Sequence, residues 1–342
     1  MKALRALFAA LAKARPLRPV KPIMLMIEGI TLGNKETTVG APHIRDRMEI
    51  KRYMSTVILA LLPCTVAAVV FYGWKAVAMI VVSYLVGGII EVLFALIRKR
   101  EIEEGFLVTG LILPLILPPT APLWMVAVGI AFGVFFGKEV FGGTGRNIFN
   151  PALVGRIFIT IAFPELMSAR WQKPFADAVT AATPLGLFKS GRQLTPLFDL
   201  LLGQVGGSMG ELFRLGIIAG GLFLIITRVA NWRVPLAYLG SVALFSWIGN
   251  LAAPRTFAPP QFQLLAGGLL FGAFFMATDP VSSPSTKAGK YIFALACGIV
   301  TLLIRNFSGF NEGVMFSILF MNAFSPLLDT LVLNAKYRTA RL

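Results

Sequence analysis

The sequence predicts an all-α integral membrane protein with about ten transmembrane helices, arranged in two repeat-related halves that include short, broken helices. Of the 342 residues, 56% are hydrophobic and only 14% are charged, whereas a soluble domain averages about 25% charged residues. The apolar residues form continuous runs. Two of these runs, Met54–Tyr72 and Ala76–Ile97, each hold roughly the 20 residues that cross a hydrocarbon core of about 30 Å.

Ten apolar runs are the candidate spans, and several are shorter than a full crossing requires. Short segments broken by glycine or proline are typical of transporters, where discontinuous helices line an ion or substrate site. The third and fourth runs are separated by the helix-breaking "PPTAP" and form either two spans or one re-entrant pair. The ten runs are Met54–Tyr72, Ala76–Ile97, Gly105–Leu117, Leu123–Phe136, Ile148–Phe163, Leu215–Thr227, Val234–Leu251, Leu264–Thr278, Tyr291–Ile304 and Val314–Leu328.

An internal repeat supports the division into two halves. Gly129–Phe136 reads "GIAFGVFF" and Gly268–Phe275 reads "GLLFGAFF", and each copy precedes a polar loop. Duplicated transporter halves leave such a trace. Small residues at helical spacing also permit close helix packing, so packing alone is the alternative explanation.

The distribution of basic residues predicts the orientation. The net charge is +16, and about 23 of the 32 lysines and arginines fall on one side if the N-terminus is cytoplasmic, as the positive-inside rule expects. This bias explains the basic composition without a nucleic-acid partner. We therefore expect a multi-pass protein of the bacterial cytoplasmic (inner) membrane with both termini in the cytoplasm. The expected parts are a basic N-terminal arm (1–53), a transmembrane domain (54–331) with a non-cytoplasmic loop (164–213), and a cytoplasmic tail (332–342).

The stretch "KEVFGGTGRNIFNPALVGR" carries residues suited to a flat or anionic ligand. Glycines free the backbone for close approach, and arginine can neutralise a phosphate. Asparagine amides suit the edge of a heteroaromatic ring. The pattern differs from the GxxxxGK[ST] loop of nucleotide hydrolases, and Cys64 and Cys297 form no zinc motif. The candidate ligand residues are Gly142, Gly143, Gly145, Arg146, Asn147, Asn150 and, within the fifth run, Arg156.

Three stretches together identify a family. The sequences "EVLFALIRKREIEEGFLVTG", "KEVFGGTGRNIFNPALVGR" and "FFMATDPVSSPSTKAGK" resemble the NqrB subunit of the bacterial sodium-translocating NADH:quinone oxidoreductases and the related RnfD subunit of the Rnf ferredoxin:NAD oxidoreductases. The similarity extends from about Pro42 to the C-terminus. The stretches "APHIRDRMEIKRYM" and "MATDPVS" favour the first of these two relatives, whereas the short basic N-terminal arm departs from its pattern.

The resemblance explains the small, polar stretch "DAVTAATPLG". Family members carry FMN as a phosphoester on a threonine within D-x-x-[ST]-x-A-T. Asp177, Thr180, Ala182 and Thr183 occupy those positions, so Thr183 is the implied attachment residue. A threonine hydroxyl needs an activating enzyme, which implies a flavin transferase as a maturation partner. We expect Pro184 to keep this segment from joining a helix.

The resemblance implies further cofactors and partners. These are a noncovalent riboflavin in this chain, a quinone substrate, Na⁺, membrane lipid and the other subunits of an oxidoreductase that this chain cannot replace alone. Acidic residues at Glu139, Asp279 and Asp329 match positions linked to sodium uptake, and Glu91 is a further candidate because intramembrane carboxylates are expensive and usually functional. The simpler alternatives are that Glu139 pairs with Lys138 or Arg146, and that Asp279 caps the following segment.

Three functions follow from these residues. The first is a redox-driven sodium pump subunit that relays electrons from NADH towards quinone. The second is the Rnf-type relative, a subunit of a ferredoxin:NAD complex. The third is a channel or solute transporter on the same fold without electron transfer. Bound flavin distinguishes the third function from the first two, whereas co-purifying subunits distinguish the first from the second.

Overall fold

A computed structural model describes residues 50–99, 105–168, 171–175, 182–191 and 193–338 of the chain. Within those ranges every regular element is helical, which confirms the predicted all-α class. Asp177, Thr180, the N-terminal arm up to residue 49 and residues 339–342 lie outside the described part.

The first five helices follow the predicted spans closely. The fifth predicted span was expected from Ile148, but its helix begins at Pro151 because Asn150 caps it and proline occupies the first helical position. The helices are α1 (Ile50–Tyr72), α2 (Trp74–Arg98), α3 (Gly105–Leu115), α4 (Leu123–Gly137) and α5 (Pro151–Ala162).

The predicted non-cytoplasmic loop contains three short helices, which the sequence analysis did not anticipate. They are α6 (Pro164–Ser168), α7 (Pro184–Gly191) and α8 (Leu197–Leu202). Each of them begins at or just after a proline, whose fixed φ angle suits the first turn of a helix.

The remaining helices include one interrupted element. The eighth predicted span is not continuous: it consists of α11, a short α12 and a π-helical turn over Gly272–Met276. Such π-helical turns are rare and occur mostly at functional sites. The helices are α9 (Arg214–Ile226), α10 (Arg233–Ala252), α11 (Pro260–Leu265), α12 (Leu269–Phe271), α13 (Lys287–Phe307) and α14 (Val314–Arg338). Helix α14 thus continues beyond the predicted end of the last span.

Six helices in the described ranges are long and apolar enough to cross a membrane. Five lie within α1, α2, α10, α13 and α14, and the sixth, Leu123–Phe141, consists of α4 and the short 3₁₀ turn that follows it. Three shorter apolar helices, α3, α5 and α9, accompany them. The chain is therefore a multi-pass membrane protein, whereas the total of ten crossings and the two repeat halves stay predictions.

Close helix packing explains the first copy of the repeated motif. Helix α4 packs along α5, and a Cβ atom at Gly133 would lie 3.1 Å from the Cα atom of Gly155. Only glycine permits that approach. On the other side of the molecule, α13 packs between α10 and α14, and α1 packs against α9.

The end of α3 meets a buried loop from a distant part of the chain. The helix ends at Leu115, shortly before Pro118, as the proline cluster predicted. The backbone N–H of Gly210 donates to the carbonyl of Leu115 at 2.6 Å, and that of Met209 donates to Leu117 at 3.2 Å. These bonds fix the loop that carries Ser208 and Glu211.

Candidate functional site

A cavity of about 390 Å³ opens beside Thr183. Its volume falls in the range of about 300–1,000 Å³ that small-molecule sites occupy. The wall combines aromatic and methionine side chains with a few charged groups. It is lined by Arg156, Thr160, Pro164, Met167, Trp171, Thr183, Leu185, Ser208, Glu211, Gly267, Gly309, Phe310, Asn311, Glu312, Met315 and Phe316. We call it the Thr183 cavity.

Thr183 caps the N-terminus of helix α7. Its Oγ1 atom accepts a hydrogen bond from the backbone N–H of Gly186 at 3.1 Å, the geometry of an N-cap. Pro184 is the first residue of this helix and does not prevent a helix, contrary to the expectation from the sequence. Ala182, just before the cap, is exposed. The predicted attachment residue therefore lies at the positive end of a helix dipole.

Helix α7 is attached to the loop between α13 and α14. The ammonium group of Lys189 donates to the backbone carbonyl of Ser308, and to that of Phe310 at 2.9 Å. Leu185 and Phe188 are buried in a separate small core cluster. Because Phe310 also lines the Thr183 cavity, these contacts hold Thr183 at the cavity edge.

Arg156 lies deep in this cavity and is incompletely paired. Its side chain is only 5% exposed. The Nη2 atom makes a long bond of 3.4 Å to Ser208 Oγ, and the buried Nε atom has no hydrogen-bond partner in the described structure. A buried donor without a partner is costly, so this guanidinium is poised to bind an acceptor from a ligand.

Two carboxylates flank Arg156 at the cavity floor. Glu211 accepts a hydrogen bond from the backbone N–H of Ser208 at 2.7 Å, whereas Glu312 forms a salt bridge of 3.0 Å with Arg305. Burial, reinforced by the Glu312 carboxylate, raises the pKa of Glu211, although Arg156 offsets part of this effect. Glu211 makes no salt bridge to any described residue.

A second, smaller cavity lies at the opposite end of α5. It measures about 60 Å³ and is lined by residues that include Asp279, Lys138, Asn147 and Asn150. Pro151 at the start of α5 lines this cavity, whereas Arg156, about 7.5 Å further along the helix axis, lines the Thr183 cavity. We call the second space the Asp279 cavity.

The acidic residues near the end of α4 are engaged in ion pairs. Glu139 is buried and binds Arg98, with Nη1 and Oε2 2.7 Å apart. The simpler alternative, in which Glu139 pairs with Lys138 or Arg146, is therefore wrong. Arg98, at the end of α2, is the partner. Lys138 instead forms a buried salt bridge with Glu91.

Asp279 and Asp329 differ in how their carboxylates are used. Asp279 accepts a hydrogen bond from Ser282 Oγ at 2.7 Å and makes no salt bridge to any described residue. Its Oδ1 atom also accepts from the backbone N–H of Val281 at 3.4 Å, so Asp279 caps the turn that follows it, as the simpler alternative expected, whereas Thr286 caps α13. Asp329 accepts from the backbone N–H groups of Ser285 at 2.7 Å and Thr286 at 3.0 Å, so it fastens the start of α13.

The glycine-rich loop belongs to the Asp279 end and does not reach Thr183. Gly142, Gly143 and Gly145 have φ angles of +114°, +100° and +83°, which glycine adopts readily and other residues rarely do. Arg146 is exposed, and the side-chain oxygen of Asn150 accepts the hydrogen bond from Ala152 that caps α5. The structure thus separates the predicted ligand residues into two groups and places only Arg156 with Thr183 and Ala182.

Several residues of these cavities escaped sequence analysis. Arg305 and Glu312 lie seven residues apart and bind each other across the α13–α14 connection. No local sequence pattern indicates that Glu312 lines the Thr183 cavity. The stretch "GGSMGE", Gly206–Glu211, carries no pattern beyond that of a loop. A charged residue retained beside an apolar run was the available signal for Glu211, Arg305 and Glu312.

In the part of the chain that the structure describes, these features define a class: a multi-pass helical membrane protein whose cavities of about 390 Å³ and about 60 Å³ lie at opposite ends of a shared helix. The sequence matches the NQR2, RnfD, RnfE family over residues 37–338, and the chain belongs to this family. The resemblance inferred from the motifs is thereby confirmed.

Curated relatives are similar over most of the chain, and each is named as the B subunit of a Na(+)-translocating NADH-quinone reductase. The protein of Ectopseudomonas mendocina is 46% identical over 273 residues, covering 76% of this chain and 68% of that protein. The protein of Yersinia pestis is 36% identical over 374 residues, with 90% of each chain covered. That of Azotobacter vinelandii is 45% identical over 273 residues, covering 76% and 68%.

Proposed function

We propose that this chain is the FMN-bearing NqrB subunit of a sodium-translocating NADH:quinone reductase. In this role it carries FMN on Thr183 and takes part in electron transfer from NADH towards quinone, coupled to Na⁺ translocation. The names of its relatives support the assignment over the Rnf-type alternative. The proposal includes partner subunits, a flavin transferase for maturation, ten crossings in two halves, and cytoplasmic termini in a bacterial inner membrane.

The single observation that carries the proposal is that Thr183 lines a cavity together with a buried arginine whose Nε atom has no hydrogen-bond partner in the described structure. The cavity is large enough for a small-molecule cofactor, and Arg156 Nε faces no protein acceptor. Aromatic side chains from Trp171, Phe310 and Phe316 provide apolar wall for a ring system. The residues present fit a phosphate-tethered flavin.

Different residues of the chain would bind the phosphate and the ring of such a group. Thr183 would hold the phosphate at the N-terminus of the eight-residue helix α7, where backbone N–H groups and the helix dipole favour an anion. Arg156, which lines the same cavity and has an Nε atom without a partner in the described structure, would donate to acceptor atoms of the ring. FMN, when bound, supplies electron-transfer chemistry, and the protein's contribution is to position the ring and to set its potential.

The Asp279 cavity suits a small cation better than a second flavin. Asparagine and threonine side chains line it beside one carboxylate, and oxygen ligands of this kind bind hard cations. At about 60 Å³ it is far below the roughly 300 Å³ of a small-molecule pocket, so it does not fit riboflavin. We assign Na⁺ entry to Asp279. Glu139 and Asp329 contribute indirectly, Glu139 through its ion pair with Arg98 and Asp329 through its hydrogen bonds at the start of α13.

In-gel fluorescence tests the flavin assignment. The complex, expressed with its flavin transferase and denatured, should show a fluorescent band for this chain under ultraviolet light. Thr183→Ala should lose the band while the partner chains still co-purify. Ser190→Ala, which removes an exposed hydroxyl seven residues further on, should keep it. Equal fluorescence in the Thr183→Ala chain rejects the attachment site.

A further inference from the structure

A buried amide on α14 contacts the turn that carries Asp279. We call this turn, over residues 279–283, the Asp279 turn. The amide belongs to Asn322, which is only 1% exposed. In the orientation that gives both of its polar atoms a partner, the nitrogen donates to the carbonyls of Ser282 at 3.3 Å and Ile318 at 3.2 Å, and the oxygen accepts from the backbone N–H of Asn150 at 3.3 Å. The side chain thus joins α14, the Asp279 turn and the residue that caps α5.

Ser282 connects the Asn322 amide with the Asp279 carboxylate. The hydroxyl group of Ser282 donates to Asp279 Oδ2 at 2.7 Å, and its backbone carbonyl is the group that Asn322 binds. A serine hydroxyl occupies one of a few staggered positions relative to its own backbone. Because Asn322 fixes that backbone, it also restricts where the hydroxyl meets the Asp279 carboxylate.

Asn322 also joins two walls of the Asp279 cavity. Val281, in the Asp279 turn, and Asn150, at the cap of α5, both line that cavity. Two further hydrogen bonds of the turn are local: Asp279 accepts from the N–H of Val281 at 3.4 Å and, through its carbonyl, from that of Ser283 at 3.1 Å. Local bonds fix the shape of the turn, whereas an amide with donors at one end and an acceptor at the other can fix its place against α5.

We infer that Asn322 is a positioning residue of the cation site, which holds the Asp279 turn against the cap of α5 and so orients the carboxylate that receives Na⁺. It acts through Ser282 and Asn150 and is not itself a ligand. This inference rests on the proposed role of Asp279 in sodium entry. A change at Asn322 therefore alters the affinity for the cation and leaves turnover at saturating sodium intact.

Sodium titrations of the purified complex test the inference. Asn322→Leu has a similar volume but neither donates nor accepts, so the sodium concentration for half-maximal quinone reduction should rise about tenfold, the effect of one ordinary hydrogen bond. Turnover at saturating sodium should stay within about twofold of the original, as expected when only binding is weakened. The sodium concentration that raises the melting temperature should shift by the same factor, which gives a readout independent of turnover.

Ser282→Ala tests the route from Asn322 to Asp279. This variant removes the hydroxyl that binds Asp279 Oδ2 and should also raise the half-maximal sodium concentration. Because both changes act on the same carboxylate, the double variant with Asn322→Leu should need little more sodium than the more affected single variant. If the two effects multiply, the residues act independently and the inference is overturned.

Ser317→Ala, on the same helix, is the control for a merely structural role. It removes buried hydrogen bonds to Tyr238 at 2.9 Å and Thr301 at 2.7 Å, so it should lower the melting temperature without changing the sodium requirement. If Asn322→Leu behaves like this control, Asn322 is a packing residue and the inference is wrong. Asn322→Ser replaces the leucine variant if that one does not assemble, and an unchanged sodium requirement there has the same meaning.

Asp279→Asn distinguishes this inference from the proposal on which it rests. If Asp279→Asn keeps the normal sodium requirement, the cation site itself is misassigned. If Asp279→Asn loses the sodium response and Asn322→Leu keeps it, the cation site stands and Asn322 does not position it.

Discussion

Thr183 and Arg156 line the same cavity, the threonine half-buried and the arginine fully buried. Thr183 belongs to a segment between the membrane helices, whereas Arg156 is buried within α5. A group attached to the threonine, as proposed above, would share this cavity with the arginine. The predicted non-cytoplasmic loop and the buried part of α5 thus line one cavity.

The potential of the bound flavin should depend on Arg156. A positive charge beside the ring favours the electron-rich reduced form, so Arg156→Gln should lower the midpoint potential by about 60 mV or more, a tenfold change for one electron. Arg156→Lys keeps the charge and should recover part of the shift. A redox titration followed by flavin absorbance measures both. An unchanged potential in Arg156→Gln means that the guanidinium does not contact the ring.

Removal of the Lys189 ammonium group should loosen helix α7. Lys189→Ala deletes the bonds to the carbonyls of Ser308 and Phe310. Water can reach these carbonyls, so the loss is about 0.5–1.5 kcal/mol. We expect lower anisotropy of the covalent flavin and faster proteolysis within the 182–191 segment. Ser190→Ala, on the same helix, is the control. Equal anisotropy in the two variants indicates that the apolar contacts of Leu185 and Phe188 alone hold the helix.

Glu211 should make stability depend on pH in a defined direction. Because the folded state raises its pKa, the contribution of the neutral acid is complete below the unfolded value of about 4.3 and is lost as pH rises through the folded pKa. Glu211→Gln removes the charge, so its melting temperature should exceed that of the unmodified complex at pH 8.

The comparison at low pH supplies the control for Glu211. Below the unfolded pKa both side chains are neutral, so the difference in melting temperature should shrink towards zero near pH 4. Thermal melts at several pH values measure the trend. A difference that is constant with pH, or that favours the carboxylate at pH 8, contradicts the assigned shift.

Asp329 should act mainly through the start of α13. Asp329→Ala leaves the N–H groups of Ser285 and Thr286 without their acceptor, a loss of about 1–3 kcal/mol in unfolding free energy. Asp329→Asn keeps one acceptor oxygen and should lose less. Thermal melts of the two variants test this order. A sodium response lost in both variants without any loss of stability points instead to a ligand role.

Sequence analysis predicted the residues that a short pattern or a lone charge identifies. The family pattern D-x-x-[ST]-x-A-T indicated Thr183, and a positive charge within an apolar run indicated Arg156. The pairing of Glu139 with Arg98 could not be predicted in this way, because it depends on how the end of α2 approaches the loop after α4. Helix α7 was not predicted either, because small residues and Pro184 suggested an irregular segment at its start.

The broken eighth span shows a second limit of sequence reasoning. Leu264–Thr278 is continuously apolar, so its hydropathy cannot reveal the interruption at Gly267, whose φ angle is +67°, or the π-helical turn that follows. These depend on tertiary contacts: Gly267 and Gly268 lie against Glu312 and Glu211, and a Cβ atom at Gly267 would collide with the Glu312 carboxylate.

The most direct test of the account is the mass of the peptide that spans residues 174–189, isolated from the complex after expression with its flavin transferase. The account predicts one added FMN phosphoryl group, localised by fragmentation to Thr183 and absent from Thr183→Ala. An assembled complex in which this peptide has the unmodified mass, or carries the flavin on Thr180, contradicts it.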